Sequence, residues 1–182
     1  MKQEIKKSIL KNSNEKLEKR DLYDINRNLT GETVLRGERT PEGRYILVVM
    51  VFIENSKGEF LIQKRSESAN GKFGTTGGHA KTGENSLQAI QVEVEEELGI
   101  KIDKNDFKLI YGGRVDEDRV FFDIFYMKKD LDIKEMTLQK EEVDYVVWFS
   151  KSQIKDLINN GEFMTSHAEE YFRMLEIMGK NE

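Results

Sequence analysis

Residues 77–100 place a glycine-rich segment directly before an amphipathic helix, and this arrangement constrains the chain more than any other part of the sequence. Asn85 is a favourable helix N-cap, and Gln88 lies three residues later, where it can complete a capping box. Gly99 suits the left-handed residue that ends many helices. The spacing therefore predicts a helix that begins after Asn85 and ends before Gly99.

This predicted helix has one apolar face and one acidic face. At about 100° per residue, the apolar side chains fall within about 80° of one another. The acidic side chains fall within about 100° of one another on the far side. The apolar residues are Leu87, Ile90, Val94 and Leu98, and the acidic residues are Glu93, Glu96 and Glu97. Carboxylates at this spacing repel one another, and the C-terminal half of a helix disfavours negative charge. A cation among the carboxylates would remove both penalties.

A solvated acidic face is the alternative interpretation, since 35% of the residues are charged. The segment before the helix favours a cation. Gly77, Gly78 and Gly83 permit close backbone approach and positive φ angles, so that a carbonyl or amide can face a ligand. Glu84 adds a carboxylate at the start of the helix. Oxygen ligands of this kind suit Mg²⁺ or Mn²⁺, which often bridge to substrate phosphates.

The remaining segments predict one α+β domain with a mixed sheet and flanking helices. Strands are predicted at 22–25, 33–35, 44–53, 59–65, 107–115, 120–128 and 143–149, a turn at 28–31, a long loop or weak strand at 66–84, and helices at about 150–158 and 166–178. The apolar run within 44–53 is typical of a strand buried on both faces. Residues 1–20 are predicted to form a charged N-terminal extension, as a helix or a frayed arm, before a domain that spans 21–182.

Composition excludes several function classes. The 182-residue chain has a net charge of −5, whereas proteins held to nucleic acid by phosphate contacts usually carry a basic excess. It contains no cysteine, which excludes disulfides, thiolate metal sites and thiol nucleophiles. It has neither a secretory apolar region near residue 1 nor an 18-residue apolar run. We expect a cytoplasmic protein without nucleic-acid or membrane partners, and the sequence does not predict its oligomeric state.

The stretch 78–100 resembles the Nudix box. In that pattern a Gly is followed after five residues by a Glu, and after seven more residues by the run Arg-Glu-aliphatic-any-Glu-Glu-any-Gly-aliphatic. Here Gly78 is followed after five residues by Glu84, and seven residues later comes the run 92–100. Eight of the nine specified positions match, including Gly99, and the ninth holds Val92 where the family has arginine. A match of this length, placed on a loop and helix, is a specific signal.

The resemblance implies an α/β/α sandwich around a mixed sheet, and hydrolysis of a diphosphate linked to another moiety. The implied partner is a small molecule, such as a nucleoside diphosphate linked to another group, and the implied cofactor is Mg²⁺ or Mn²⁺. The implied metal ligands are Glu93, Glu96, Glu97 and the Gly78 carbonyl. One of these glutamates, Glu96 or Glu97 by preference, would deprotonate the water molecule that attacks the diphosphate. Crowded like charges raise the pKa of a carboxylate and so suit it to this role.

Other residues are weaker candidates for this site. Lys64 and Arg65 could contact substrate phosphate, with ordinary surface positions as the alternative. Glu141 and Glu142 are a second candidate base, with a solvated acidic loop as the favoured alternative. Possible liners of the substrate pocket, each with an ordinary structural role as its alternative, are Arg39, Arg44, Tyr111, Arg114 and residues 121–125.

Sequence outside the box is similar to the isopentenyl-diphosphate-isomerase-like branch of the family. The similar segments are Asp21–Asp24, Thr30–Gly31, Arg36–Glu38, Gln63–Arg65 and Gly77–His79. Isomerase chemistry is nevertheless not expected, because Gly77 stands at the position of the catalytic cysteine. Tyr45-Ile46 also stands where the isomerase has a histidine. His79 is interpreted as a loop histidine, with a metal ligand as the alternative.

Val92 leaves two hypotheses open. In the first, the enzyme works with a differently supported metal site. In the second, hydrolysis has been lost, and the fold binds a phosphorylated ligand or regulates a partner. Retention of every carboxylate of the box favours the enzyme.

Overall fold

The computed structural model describes residues 18–180, which form nine strands, three α-helices and three short 3₁₀ helices. The strands are β1 (Lys19–Tyr23), β2 (Leu29–Leu35), β3 (Ile46–Glu54), β4 (Phe60–Arg65), β5 (Phe73–Gly74), β6 (Thr76–His79), β7 (Lys108–Val115), β8 (Val120–Lys128) and β9 (Val143–Phe149). The helices are α1 (Ser86–Leu98), α2 (Lys151–Asn159) and α3 (Thr165–Ile177).

A mixed seven-stranded sheet is built around β3. This strand pairs in parallel with β8 and antiparallel with β4 and β6. Strand β7 extends the sheet beyond β8, and both β5 and β9 pair with β4. Eight of the nine residues of β3 are buried, which confirms the prediction of a strand covered on both faces. Strands β1 and β2 form a separate hairpin.

Helices cover both faces of this sheet. Ile90 of α1 packs in one apolar cluster with Val49 of β3. On the opposite face, Ile154 of α2 and Tyr171 of α3 pack in a second cluster with Phe52 of β3. Side chains alternate between the two faces along β3, so one strand contributes to both clusters. The predicted α/β/α sandwich and the single α+β domain are confirmed.

Helix α1 begins and ends where the sequence predicts. The Asn85 side chain accepts a hydrogen bond from the Gln88 N–H at 3.0 Å, and the Gln88 side chain accepts one from the Asn85 N–H at 3.0 Å. Gly99 ends the helix with a φ of +67°, in the left-handed region. The capping box and the glycine end therefore fix the length of the helix that carries the acidic face.

The first hairpin differs from its prediction. The turn lies at 24–28 instead of 28–31, because the Asp24 side chain accepts hydrogen bonds from the N–H groups of Asn26 and Asn28. Arg27 adopts a φ of +65° within this turn, and Leu29 already begins β2. The Asp24 carboxylate closes the turn earlier than the glycine at position 31 suggested.

The N-terminal boundary also differs from its prediction. Strand β1 begins at Lys19, so the predicted division after residue 20 falls within a strand. Residues 1–17 of the predicted extension at 1–20 lie outside the described residues. Residues 66–84 contain the short strands β5 and β6, in agreement with the weak strand expected there. None of the helices within residues 18–180 has the length and apolar composition of a membrane-spanning segment.

Candidate active site

A cavity of about 490 Å³ lies around the short strand β6. Gly77, Gly78 and His79 of this strand all line it. Helix α1 contributes Glu93, Glu96 and Glu97 to the lining. Arginines Arg20, Arg36 and Arg65 line it as well. The cavity therefore brings the acidic face of α1 together with a group of cationic side chains.

Glu93 lies against the backbone of Gly78. A Cβ atom built on Gly78 would lie 2.5 Å from Cδ of Glu93, so a larger residue could not occupy this position without displacing the carboxylate. Burial, followed by the proximity of Glu97, raises the pKa of Glu93 to about 8. The protein alone thus disfavours the charged carboxylate, and a cation beside it would offset that cost.

Gly77 and Gly78 allow neighbouring atoms to lie close to the backbone, whereas Gly83 forms part of a turn. Gly83 has a φ of +88°, as the sequence predicts. Gly77 and Gly78 are not among the glycines with positive φ. They lie in a strand against β3 and α1, where there is no room for a side chain. The expectation of positive φ was therefore wrong for these two residues, and that of close approach was correct.

Glu97 is the most buried carboxylate of the cavity, with 3% of its surface exposed. Its Oε2 accepts a hydrogen bond from Nε2 of Gln63 at 2.8 Å, and the same Nε2 donates to Thr76 Oγ1 at 2.6 Å. Burial raises the pKa of Glu97 to about 7, although Gln63 and Arg65 act in the opposite direction. Gln63 holds this carboxylate in place, a role that sequence reasoning did not assign.

Glu96 is turned towards Lys81, which follows β6. Lys81 Nζ donates to both carboxylate oxygens of Glu96, at 2.5 and 2.7 Å. Within residues 18–180, no three acidic or histidine side chains converge closely enough to hold a metal ion as they stand. The three glutamates share one helix face and line one cavity. Lys81 was also missed by sequence reasoning.

The arginines form an ion-pair chain along the cavity. Arg65 and Arg36 each lie 3.0 Å from the Glu142 carboxylate. Arg36 also lies 3.3 Å from Glu18, which in turn lies 3.5 Å from Nε of Arg20. Burial lowers the pKa of Arg20, whose side chain is 12% exposed. This ion-pair chain holds three guanidinium groups and two carboxylates, and it lies beside the further carboxylates that line the same cavity.

Several predicted site residues lie outside this cavity. Lys64 Nζ lies 4.6 Å from the centre of the Phe73 ring and does not line the cavity. Glu84 accepts a hydrogen bond from the Lys81 N–H at 2.8 Å. Glu141 uses its carbonyl oxygen to accept from Ser66 Oγ. Of the possible pocket liners, Phe122 lines the cavity, whereas Arg39, Arg44, Tyr111 and Arg114 do not.

His79 is not a loop residue, and that interpretation was wrong. It ends β6, pairs with Val48 of β3, and lines the cavity. Burial, followed by the positive charge of Arg20, lowers its pKa to about 4. His79 is therefore neutral at physiological pH and offers a hydrogen-bonding side chain rather than a cation.

Gly77→Ala is expected to lower the free energy of unfolding by about 1–3 kcal/mol. The added Cβ would collide with the Val49 carbonyl oxygen and lie 2.8 Å from Met50 Cα, so the pairing of β3 and β6 would have to shift. Urea unfolding monitored by circular dichroism measures the change. Thr82→Ala, at an exposed position after β6, is the matched control and should change stability by less than about 0.5 kcal/mol. Wild-type stability of Gly77→Ala would contradict the close approach.

Comparisons with known proteins agree with the geometry. The family model described as NUDIX domain matches residues 44–169. The chain is 39% identical over 152 residues to an uncharacterized Nudix hydrolase of Listeria monocytogenes, covering 81% of this chain and 89% of that protein. A crystal structure from Deinococcus radiodurans is similar with a TM-score of 0.73 at 22% identity, covering 86% of this chain and 99% of that one. A MutT protein from Methanosarcina mazei has a TM-score of 0.58 at 25% identity, covering 79% and 99%. The family model and the relative from Listeria monocytogenes show that the chain belongs to the Nudix family.

Proposed function

We propose that this chain is a hydrolase that uses Mg²⁺ or Mn²⁺ to cleave the diphosphate linkage of a small organic diphosphate, such as a nucleoside diphosphate linked to another group. The observation that carries this proposal is the pairing of two kinds of charge in one cavity. Buried glutamates with raised pKa values line it together with three arginines. A metal ion would complement the first group, and the phosphates of the substrate would complement the second.

The residues of α1 fit a divalent cation. Glu93, Glu96 and Glu97, with the Gly78 carbonyl, form an all-oxygen donor set of the kind that Mg²⁺ and Mn²⁺ prefer. Burial disfavours the charged forms of Glu93 and Glu97, so the site lacks a positive charge that an ion would supply. When bound, such an ion neutralises diphosphate oxygens and lowers the pKa of a coordinated water.

The side chains of this chain would orient the substrate and accept the proton. Arg65 and Arg36 present planar donors suited to phosphate oxygens, and Glu142 holds both guanidinium groups in place. This double ion pair favours an anchoring role for Glu142 over that of the base. Glu97, with a pKa of about 7 and a fixed position beside Gln63, is the preferred base among the three glutamates.

Isoprenoid isomerisation is not proposed. The chain contains no cysteine, and the position that the isomerase cysteine would occupy is Gly77. A Cβ atom there would collide with the backbone of β3, so the site has no room for a thiol side chain. The resemblance to the isomerase-like branch stays an expectation from the sequence, and its chemistry is not carried over to this chain.

A module that only binds a phosphorylated ligand, or that regulates a partner, is the alternative, because Val92 replaces the arginine of the box. Residues 92 and 96 are one turn apart on α1, so an arginine at 92 could reach Glu96. In this chain Lys81 contacts Glu96 instead, through two charge-assisted hydrogen bonds. Glu96 thus has a cationic partner, which Lys81 supplies in place of an arginine at position 92. This favours an enzyme over a module that only binds.

The proposal is tested by a substrate panel of nucleoside triphosphates, nucleoside diphosphate sugars and dinucleoside polyphosphates. Release of phosphate or of a monophosphate is measured with Mg²⁺, with Mn²⁺ and with EDTA. Turnover of at least one compound is expected with metal, and none with EDTA. Tight binding of a compound without turnover in either metal would instead establish the binding module.

Lys81→Met is expected to lower kcat/KM about tenfold, because Glu96 loses the partner that orients it. Adding Val92→Arg to this variant should restore most of the loss, since the new guanidinium can reach the same carboxylate. Lys101→Met is the matched control, because Lys101 pairs with Glu95 away from the cavity and is 84% exposed. Unchanged activity of Lys81→Met, or no recovery in the double variant, would contradict the role of Lys81.

A further inference from the structure

Helix α3 contributes polar side chains to the lining of the cavity, and the proposed hydrolysis of the diphosphate does not use them. His167 and Glu170 lie three residues apart on α3 and therefore share one helix face. Both line the cavity, although they are only 8% and 9% exposed. Because α1 and α3 pack on opposite faces of the sheet, these side chains approach the cavity from the side opposite to Glu93 and Glu97.

His167 is a hydrogen-bond donor fixed in one tautomer. Its Nδ1 accepts the backbone N–H of Thr75 at 3.0 Å, so Nδ1 carries no proton. Burial lowers the pKa of His167 to about 4, and the ring is neutral at physiological pH. A neutral ring with an accepting Nδ1 carries its proton on Nε2. Gly74 leaves room for the ring at this position, because a Cβ atom there would lie 2.8 Å from Nδ1.

Glu170 is a hydrogen-bond acceptor with one oxygen unused. Its Oε1 lies 3.7 Å from the Arg173 guanidinium. Its Oε2 is buried and has no hydrogen-bond partner among residues 18–180. Burial raises the pKa of this carboxyl group, and Arg173 acts in the opposite direction. Buried polar atoms in folded proteins are usually paired, so this oxygen is suited to a donor from a ligand.

We propose that His167 and Glu170 recognise the organic part of the substrate through a group that carries a hydrogen-bond acceptor next to a donor, as the edge of a nucleobase does. This inference rests on the proposed function, which places the diphosphate between α1 and the arginines. Met50, Phe122 and Met164 line the same cavity and offer apolar surface to a planar ring. A hydrocarbon chain would leave both polar side chains unpaired, and sites of this kind reject such ligands strongly.

Equilibrium binding tests the inference without requiring turnover. The probes are the α,β-methylene analogues of ADP, CDP, GDP and UDP, together with methylenediphosphonate, all measured by calorimetry with Mg²⁺. Wild-type protein is expected to bind at least one nucleoside analogue about 30-fold more tightly than methylenediphosphonate. Glu170→Met should reduce this preference about tenfold and leave the affinity for methylenediphosphonate unchanged. His167→Phe should have a similar effect through loss of the Nε2 donor.

The controls separate recognition from folding and from hydrolysis. Glu176→Met, at an exposed position of the same helix, should behave as wild type. His167→Phe leaves the Thr75 N–H unpaired, so its melting temperature is measured in parallel, and Glu170→Met tests the acceptor independently. The inference is overturned if no nucleoside analogue binds more tightly than methylenediphosphonate, or if Glu170→Met weakens both kinds of probe equally. Failure of every probe to bind with Mg²⁺ would contradict the proposed function as well.

Discussion

Glu97→Gln is expected to lower kcat by about 10²–10⁴-fold while the protein remains folded. The substitution keeps the size of the side chain but removes the charge that would bind a metal ion and the oxygen that would accept a proton. Gln63 can still donate to the amide oxygen at this position, so the local packing is retained. The measurement is product release at saturating substrate and Mg²⁺, with the substrate that the panel identifies.

Glu95→Gln is the matched control for this variant. Glu95 lies two residues earlier on α1 and pairs with Lys101 at 3.2 Å, and its side chain is 52% exposed. Its substitution should change kcat by less than about twofold, because an exposed ion pair contributes little. Retention of more than a tenth of wild-type activity by Glu97→Gln would show that this carboxylate is not needed for hydrolysis. The base would then have to be sought at Glu96, Glu93 or Glu142.

The sequence was most informative where structure depends on neighbouring residues. The limits of α1 follow from Asn85, Gln88 and Gly99, all of which act within a few residues of the helix. The acidic face follows from helical spacing alone. Helix α2 likewise lies where a helix was predicted at about 150–158, and Ser150 caps it together with Gln153. Local capping and periodicity are physical preferences that a single sequence displays directly.

Side chains brought in from distant positions could not be predicted. Gln63 contacts Glu97 from 34 residues away, and nothing in its local sequence distinguishes it from other polar strand residues. Arg20 was assigned to the charged N-terminal extension, whereas strand β1, which pairs with β2, brings it to the cavity. Helix α3 was predicted near its observed limits, but the face that His167 turns to the cavity depends on how the helix packs against the sheet.

The metal-free protein is expected to lose stability as the pH rises from about 6.5 to 8.5. Burial raises the pKa of Glu93 to about 8 and that of Glu97 to about 7, from an ordinary value of 4.5. In this range the folded state still holds protons that the unfolded state has lost, so its stability falls with rising pH until both folded-state pKa values are passed. At about 1.4 kcal/mol per pKa unit, the loss over this range is on the order of 2–3 kcal/mol.

This pH range also avoids an opposing contribution. Burial lowers the pKa values of His79 and His167 to about 4, from an ordinary value of 6.5. Below pH 6.5 the unfolded state binds protons at these histidines that the folded state does not, so their contribution to stability increases with pH up to that point. Above pH 6.5 their contribution levels off within about one pH unit, and the two glutamates dominate.

Excess Mg²⁺ should restore the stability lost at pH 8.5 and have a smaller effect at pH 6.5. An ion at 100 times its dissociation constant stabilises the folded state by about 2.7 kcal/mol, but it binds deprotonated carboxylates only. Urea unfolding at the two pH values, each with Mg²⁺ and with EDTA, gives the four free energies of unfolding to be compared. The Glu93→Gln, Glu97→Gln double variant should show neither the pH dependence nor the Mg²⁺ effect. Equal stabilisation by Mg²⁺ at both pH values would place the ion away from these glutamates, because only carboxylates that titrate in this range can make its binding depend on pH.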